Sequence, residues 1–505
     1  MKKSIRIMAT AVVMTALLSS CSTGPPSQTS ELVGSVMTAP QAAVDELEPC
    51  VDLPSLPTAV CGSLEVPLDR SDPNSATTTV GFALVRRTDA AEPGLGTIVP
   101  NPGGPGSSAI DFSGALFTSA LEPLMDQRDV LLIDPRGVGR SDPITCDALD
   151  GPATTFASLD QQRAAIGQCG EELGERASAY GTVEVADDFD AVRESLGIDK
   201  LDLLGISYGT FLMPVYAERH PESVRTITLA GAYSVHDNPM DDARGPEAFR
   251  RAVQLTCEQL ASCDGEVVLA DLAFLAEQLR TAPDSVEIPF GGTPYKVALD
   301  EWQLASVAGR VFSNAPQPEA LQALADAAAA ARTGDLDPFR AFVAESLTAT
   351  AEIAISGTNA VSVAQSWATS CHDYVKPFDT ADTAAEKRSD FQAALSTMND
   401  SEFAPFSATA WITRSDYDAA GCLEWPVGAE AKEPFARGAE LPDVPVLVLS
   451  GDLDANTTSP SGREAAAQFP NAEFFEIAGA GHTPAITEEG GIKILTFIAT
   501  GSAAG

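Results

Sequence analysis

Ser207 stands between two glycines in Gly205-Ile206-Ser207-Tyr208-Gly209. A serine in that setting can act as a nucleophile once a base takes its hydroxyl proton. Gly-x-Ser-x-Gly is common by chance, but this copy follows the apolar run 201–204 and precedes a helix-compatible stretch, 210–220. A strand that turns sharply into a helix is the arrangement in which such a serine is exposed for attack. The glycines answer a steric demand, because side chains flanking a strained turn would collide with neighbouring backbone.

The chain offers four histidines as bases: His220, His236, His372 and His482. His482 lies in the glycine-rich run Gly479-Ala480-Gly481-His482-Thr483-Pro484, between what read as the last strand and the last helix. That loop reaches the carboxyl edge of a parallel sheet, where Ser207 also sits, so His482 is the expected base. His220 ends the helix after the serine and reads as a helix C-terminal cap, while His236 and His372 read as packing or surface residues. The base needs an acid to orient it. The apolar run 444–450 ends in Gly451-Asp452-Leu453-Asp454, which makes Asp454 the expected partner. Asp452 reads as a turn residue bonded to backbone amides. Developing negative charge on an attacked carbonyl needs N–H donors. Asn101-Pro102-Gly103-Gly104-Pro105-Gly106 can present bare amides, and Gly103 with Tyr208 is the expected pair. No Gly-Lys-Ser/Thr follows this loop, so it is not a phosphate loop. Asp134-Pro135-Arg136-Gly137-Val138-Gly139-Arg140-Ser141 reads as a scaffold turn near the site.

These residues must be positioned by a sheet. Apolar, strand-like stretches recur at 62–67, 77–86, 96–100, 130–134, 201–206 and 226–230, and again at 444–450 and 474–477. Helical spacing between them, as in Val185, Phe189, Val192 and Leu196, makes an α/β fold with a mostly parallel sheet flanked by helices. A final helix is expected from Pro484, with Thr483 as its N-cap. Residues 234–438 differ: they are Ala-rich with helical periodicity, and hold all four tryptophans, Trp302, Trp367, Trp411 and Trp425. The expected organisation is a core over 46–233 and 439–505, with 234–438 inserted as a mainly helical cap before the last strands. The tryptophans read as the core of that insert, or as the lining of a cleft beneath it.

The chain has 505 residues and a net charge of −40. So acidic a protein is not built to bind nucleic acid, which requires clustered Lys and Arg. The charge reads as a solvated acidic surface, or as a field that draws cationic ligands such as free amino termini. Lys2, Lys3 and Arg6 precede the apolar run 7–18, which ends in Leu18-Ser19-Ser20-Cys21. This reads as a signal peptide over 1–20, followed by a flexible tether over 21–45. The four residues ending in Cys21 resemble a bacterial lipobox, which implies lipidation of Cys21 and anchoring of the exported protein to a membrane of the cell envelope; cleavage nearby and free secretion is the alternative. Removing 1–20 takes away three basic and no acidic residues, which brings the charge to −43. Eight further cysteines fit an oxidising compartment. They admit on the order of a hundred pairings, among which local spacing favours Cys50–Cys61, Cys146–Cys169 and Cys257–Cys263, leaving Cys371–Cys422. No Cys-x-x-Cys or Cys–His grouping suggests zinc, and no metal or organic cofactor is implied.

Taken together, Asn-Pro-Gly-Gly-Pro-Gly at 101–106, Asp-Pro-Arg-Gly-Val-Gly-Arg-Ser at 134–141, Gly-Ile-Ser-Tyr-Gly-Thr at 205–210, Gly-Asp-Leu-Asp at 451–454 and Gly-His-Thr-Pro at 481–484 resemble the exported tripeptidyl aminopeptidases of actinobacteria. These are α/β-hydrolases related to prolyl aminopeptidases, and the resemblance runs from about 46 to 490. It implies a helical cap, release of short peptides from the free N termini of peptides or proteins, a Ser207–Asp454–His482 triad, and Gly103 and Tyr208 as oxyanion donors. It also implies a cap carboxylate for the substrate ammonium, without singling one out among the many acids of the insert. Pro102 stands where the prolyl enzymes have histidine, which favours the tripeptidyl branch. The same triad would serve a carboxylesterase acting on small acyl esters or envelope lipids. A lipid-anchored binding protein without catalysis is the third reading.

Overall fold

Strands buried on both faces must be apolar along their whole length rather than at alternate positions, and the central segments of this chain have that character. The computed structural model describes residues 38–503 apart from 90–91, 239–242, 261, 313–315, 356–359, 415–417 and 427–433. The segment expected to be a signal peptide, Cys21 and most of the tether lie outside the described residues. Nine strands form one sheet: β1 (Glu48–Pro49), β2 (Ala59–Pro67), β3 (Thr77–Val85), β4 (Gly96–Asn101), β5 (Arg128–Ile133), β6 (Leu201–Ile206), β7 (Val224–Ala230), β10 (Val446–Gly451) and β11 (Ala472–Ile477), in the order β1-β2-β3-β5-β4-β6-β7-β10-β11. From β5 to β11 every neighbouring pair is parallel, while β1, β2 and β3 add an antiparallel edge. Every residue of β4, β5 and β10 is buried.

Alternation along the strands divides the core. Val99, Leu131, Leu203, Leu229 and Val448 face the helices Thr182–Ser195 and Gly209–Arg219. Their neighbours Ile98, Leu132, Leu204, Ala230 and Leu449 face Gly114–Leu121 and Glu488–Thr500. Period-two side-chain placement in a sheet covered on both sides requires this division.

The expected α/β-hydrolase architecture is the observed one, with differences at element ends. The last helix runs Glu488–Thr500 and not from Pro484; Pro484–Ile486 is a separate 3-10 turn. Its cap is Thr487, whose hydroxyl accepts the Gly490 amide at 3.0 Å, and Thr483 makes no capping bond. Among the strands, the two-residue β1 that pairs with β2 was not expected, nor was a hairpin of β8 (Asp284–Phe290) and β9 (Thr293–Leu299) within the insert.

The insert builds its own core around Phe249, Phe312, Phe339, Phe391 and Trp411. Trp411 and Trp425 lie inside this core, Trp367 packs against it, and Trp302 Nε1 donates to Thr413 O at 2.6 Å. The tryptophans therefore hold the insert together. The stretch between β5 and β6 joins the same cluster through Ile144, Phe156, Ile166 and Tyr180. The disulfides are Cys50–Cys61, Cys146–Cys169, Cys257–Cys263 and Cys371–Cys422. Among the described residues no helix is long and apolar enough to cross a membrane.

Cys371 and Cys422 are 51 residues apart, so their bond restricts a long loop of the unfolded chain. Replacing both with alanine is expected to lower stability by about 4 kcal/mol by the loop-closure relation. The urea midpoint of the oxidised protein, with and without the pair, measures it.

Candidate active site

Ser207 follows the last residue of β6 and takes the left-handed conformation at φ 54°, which a non-glycine residue adopts only when its surroundings hold it there. The flanking glycines make this possible. A Cβ on Gly205 would stand 2.2 Å from Gly209 O, and one on Gly209 would stand 2.8 Å from Asn101 O. The Ser207 amide donates to Ala230 O at 3.1 Å, which ties the turn to β7.

Three loops at the same sheet edge bring the expected triad together. His482 Nε2 lies 2.8 Å from Ser207 Oγ, and His482 Nδ1 lies 3.1 Å from Asp454 Oδ2. His482 and Asp454 are only 3% and 2% exposed, so water competes little for these bonds. Asp454 Oδ1 accepts the amides of Asn456 and Thr457 at 2.8 and 2.9 Å, which aims its other oxygen at the imidazole.

Thr457 was not foreseen. Its hydroxyl donates to Asp454 Oδ2 at 2.8 Å and lies 2.9 Å from His482 Nδ1. Having given its proton to the carboxylate, the hydroxyl can only accept from the imidazole. Nδ1 therefore carries a proton facing both Asp454 and Thr457, and Nε2 is left with the lone pair that the Ser207 hydroxyl needs. The available sequence signal was a threonine three residues after the acid, the spacing of a local side-chain-to-backbone turn.

The oxyanion expectation needs one correction. The Gly103 amide donates to Asn101 Oδ1 at 3.0 Å, because the buried asparagine ending β4 folds over its own loop and takes that donor. What Gly103 supplies is the absence of a side chain: a Cβ there would stand 2.9 Å from both Ser207 Cβ and the Tyr208 nitrogen. The space in front of the Tyr208 amide is thereby kept open.

Neighbouring polar groups hold these loops in place. Asp452 accepts the Gly479 amide at 2.7 Å, so it serves the histidine loop and not only its own turn. Asp134 accepts the Ser108 hydroxyl at 2.8 Å, the Ile110 amide at 3.0 Å and the Arg140 amide at 2.9 Å, pinning the chain just beyond 101–106. Arg136 makes two bonds of 2.7 Å to Asp188. The 134–141 stretch is thus the scaffold it was expected to be. Of the other histidines, His220 sits at the C-cap of Gly209–Arg219 with Nε2 2.9 Å from Asp187. His236 packs on Phe435 at 5.3 Å, and His372 Nδ1 lies 2.5 Å from Asp373.

Residues 96–278 match the family model described as alpha/beta hydrolase fold, and residues 408–504 match the model described as TAP-like protein. Serine protease Hip1 of Mycobacterium tuberculosis is 33% identical over 247 residues, covering 46% of this chain and 47% of that protein. Tripeptidyl aminopeptidase of Streptomyces lividans is 31% identical over 207 residues, 38% of each chain. Carboxylesterase B of Mycobacterium tuberculosis is 30% identical over 227 residues, 42% of this chain and 43% of that protein. The chain thus spans about half, or less, of the length of the curated relatives it matches.

Two outcomes follow from this geometry. Thr457→Val keeps shape but removes the hydroxyl that bridges acid and base; the rate at which a fluorophosphonate labels Ser207 should fall about tenfold, the value of one net hydrogen bond. Burial pushes the Asp134 carboxyl up from 3.8 to about 6, so the folded protein holds that proton more tightly than the unfolded chain. The stabilisation is present below pH ~4 and lost as pH rises towards ~6, about 3 kcal/mol in all. Urea midpoints of wild type and Asp134→Asn across pH 4–7 should differ in slope, with the downward component missing in the variant.

Proposed function

We propose that this chain, whose residues 96–278 match the alpha/beta hydrolase fold model and whose residues 408–504 match the TAP-like model, is a serine hydrolase that releases short peptides from free N termini. The observation that carries the reading is the unbroken sequence of contacts from half-buried Ser207 through buried His482 to Asp454 and Thr457. In this mechanism His482 Nε2 takes the Ser207 proton as Oγ attacks the scissile carbonyl. The Tyr208 amide stabilises the oxyanion. Loss of one such donor typically costs about 10²–10³ in rate. The imidazolium, steadied by Asp454 and Thr457, then protonates the leaving amine, and a water activated by His482 releases the acyl group.

The motifs around Ser207, Asp454 and His482, and the likeness to tripeptidyl aminopeptidase and serine protease Hip1, support the aminopeptidase reading. The likeness to carboxylesterase B favours one rival, ester hydrolysis by the same triad. Export fits the four disulfides, since such bonds persist outside the cytosol. Anchoring to a membrane through a lipid on Cys21 is part of the same proposal.

A panel of chromogenic tripeptides and short esters separates the readings. Peptides with a free amino terminus should be cleaved, their N-acetylated counterparts should not, and Ser207→Ala should abolish both turnover and fluorophosphonate labelling. Turnover indifferent to acetylation, or confined to esters, rules out the aminopeptidase and leaves the esterase. Failure of wild type to label would remove the hydrolase reading altogether.

A further inference from the structure

A run of hydrogen bonds that ends beside the nucleophile begins in the insert. Helix Val363–Asp373 closes on Asp373, whose side chain is fully buried. Asp373 Oδ2 accepts the Thr182 amide at 2.6 Å and the Thr182 hydroxyl at 2.5 Å. Thr182 is the first residue of helix Thr182–Ser195, so its amide has no acceptor inside that helix, and a carboxylate at this end also answers the helix dipole. The other oxygen, Oδ1, accepts from His372 Nδ1 at 2.5 Å.

A carboxylate has no proton to give, so the Thr182 hydroxyl must donate to Asp373. It is then left to accept from the Tyr208 hydroxyl, 2.8 Å away. The direction of the run is therefore set: Tyr208 O–H to Thr182, and Thr182 O–H to Asp373. Burial holds the Tyr208 hydroxyl well above the usual phenol range, so it keeps its proton. The Tyr208 ring is 1% exposed, and Phe211 lies between it and Tyr374 of the insert, at 6.1 and 5.3 Å. Tyr208 directly follows Ser207, whose backbone stands at a positive φ and needs holding from outside the turn.

We propose that Asp373 is a positioning residue for the nucleophile turn: from the insert, acting through Thr182 and the Tyr208 side chain, it sets where the Tyr208 amide and Ser207 stand. The role rests on the hydrolase reading above. An oxyanion donor must be placed to within about half an ångström. A side chain tethered at its far tip fixes its own backbone better than one held by packing alone. The insert then helps to build the catalytic centre.

The test uses the full chain and separates position from packing. Thr182→Val preserves shape and keeps the main-chain bond to Asp373 while removing the hydroxyl. Tyr208→Phe removes the other end of the same bond. Each should lower kcat, and the rate of fluorophosphonate labelling of Ser207, about tenfold with KM within about twofold. The double variant should be no worse than either single one. Thr182→Ser, which restores a hydroxyl, should recover most of the loss. Asp373→Ala should lose at least as much, and adding Thr182→Val to it should change little. The proposal is overturned if Thr182→Val and Tyr208→Phe label at the wild-type rate, if their losses multiply, or if Thr182→Ser is as slow as Thr182→Val. If wild type does not label at all, the hydrolase reading fails and takes this role with it.

Discussion

The 2.8 Å contact between Ser207 Oγ and His482 Nε2 is the interaction on which the rest of the molecule depends. It is useful only if Nε2 bears a lone pair, so Nδ1 must keep its proton, and the acid side of the imidazole has to be built to that end. Asp454 accepts two backbone amides and a threonine hydroxyl, which leaves it no freedom to turn away. The threonine, having donated to the acid, can only accept from the base. Two acceptors facing one N–H fix the tautomer better than one would, and burial of the pair keeps water from offering an alternative.

Bringing that contact about is a matter of where loops end. Ser207, Asp454 and His482 follow three different strands, and all three loops emerge at the carboxyl edge of one parallel sheet. Parallel strands buried on both sides present their loops in a fixed order, so residues 275 positions apart meet without any local signal between them. The same edge receives the 101–106 loop, whose far end is secured by Asp134 through Ser108 and Ile110. Each reactive group is thus positioned by a second group on another element.

Much of this could be read from residue order. Strand-like stretches in the sequence matched eight of the nine sheet strands, all but β1, and Gly-x-Ser-x-Gly between a strand and a helix singled out Ser207. What escaped was of two kinds. Some elements had weak local patterns: β1 is two residues long, and the hairpin β8–β9 lies in a stretch dominated by helical spacing. The helix Leu159–Leu173 did carry a local mark, the capping box of Ser158 and Gln161, but it lay between motifs that drew attention to themselves. Others depended on competition for a donor. Gly103 looked like an oxyanion amide because its loop is bare, and only the fold of Asn101 over that loop shows the amide to be engaged.

By itself, the sequence determined the class of fold, the serine, histidine and aspartate proposed as nucleophile, base and acid, and the order in which they occur, because apolar periodicity and glycine placement are local properties. It also confined the tryptophans to one insert. The tertiary structure alone decided which amides remain available near Ser207, that Thr457 shares the imidazole proton with Asp454, and that Asp373 of the insert is linked through Thr182 to the residue beside the nucleophile. Those facts concern which of several competent donors finds which acceptor first. That competition is settled by distances between segments far apart in the chain, which no spacing along the sequence encodes.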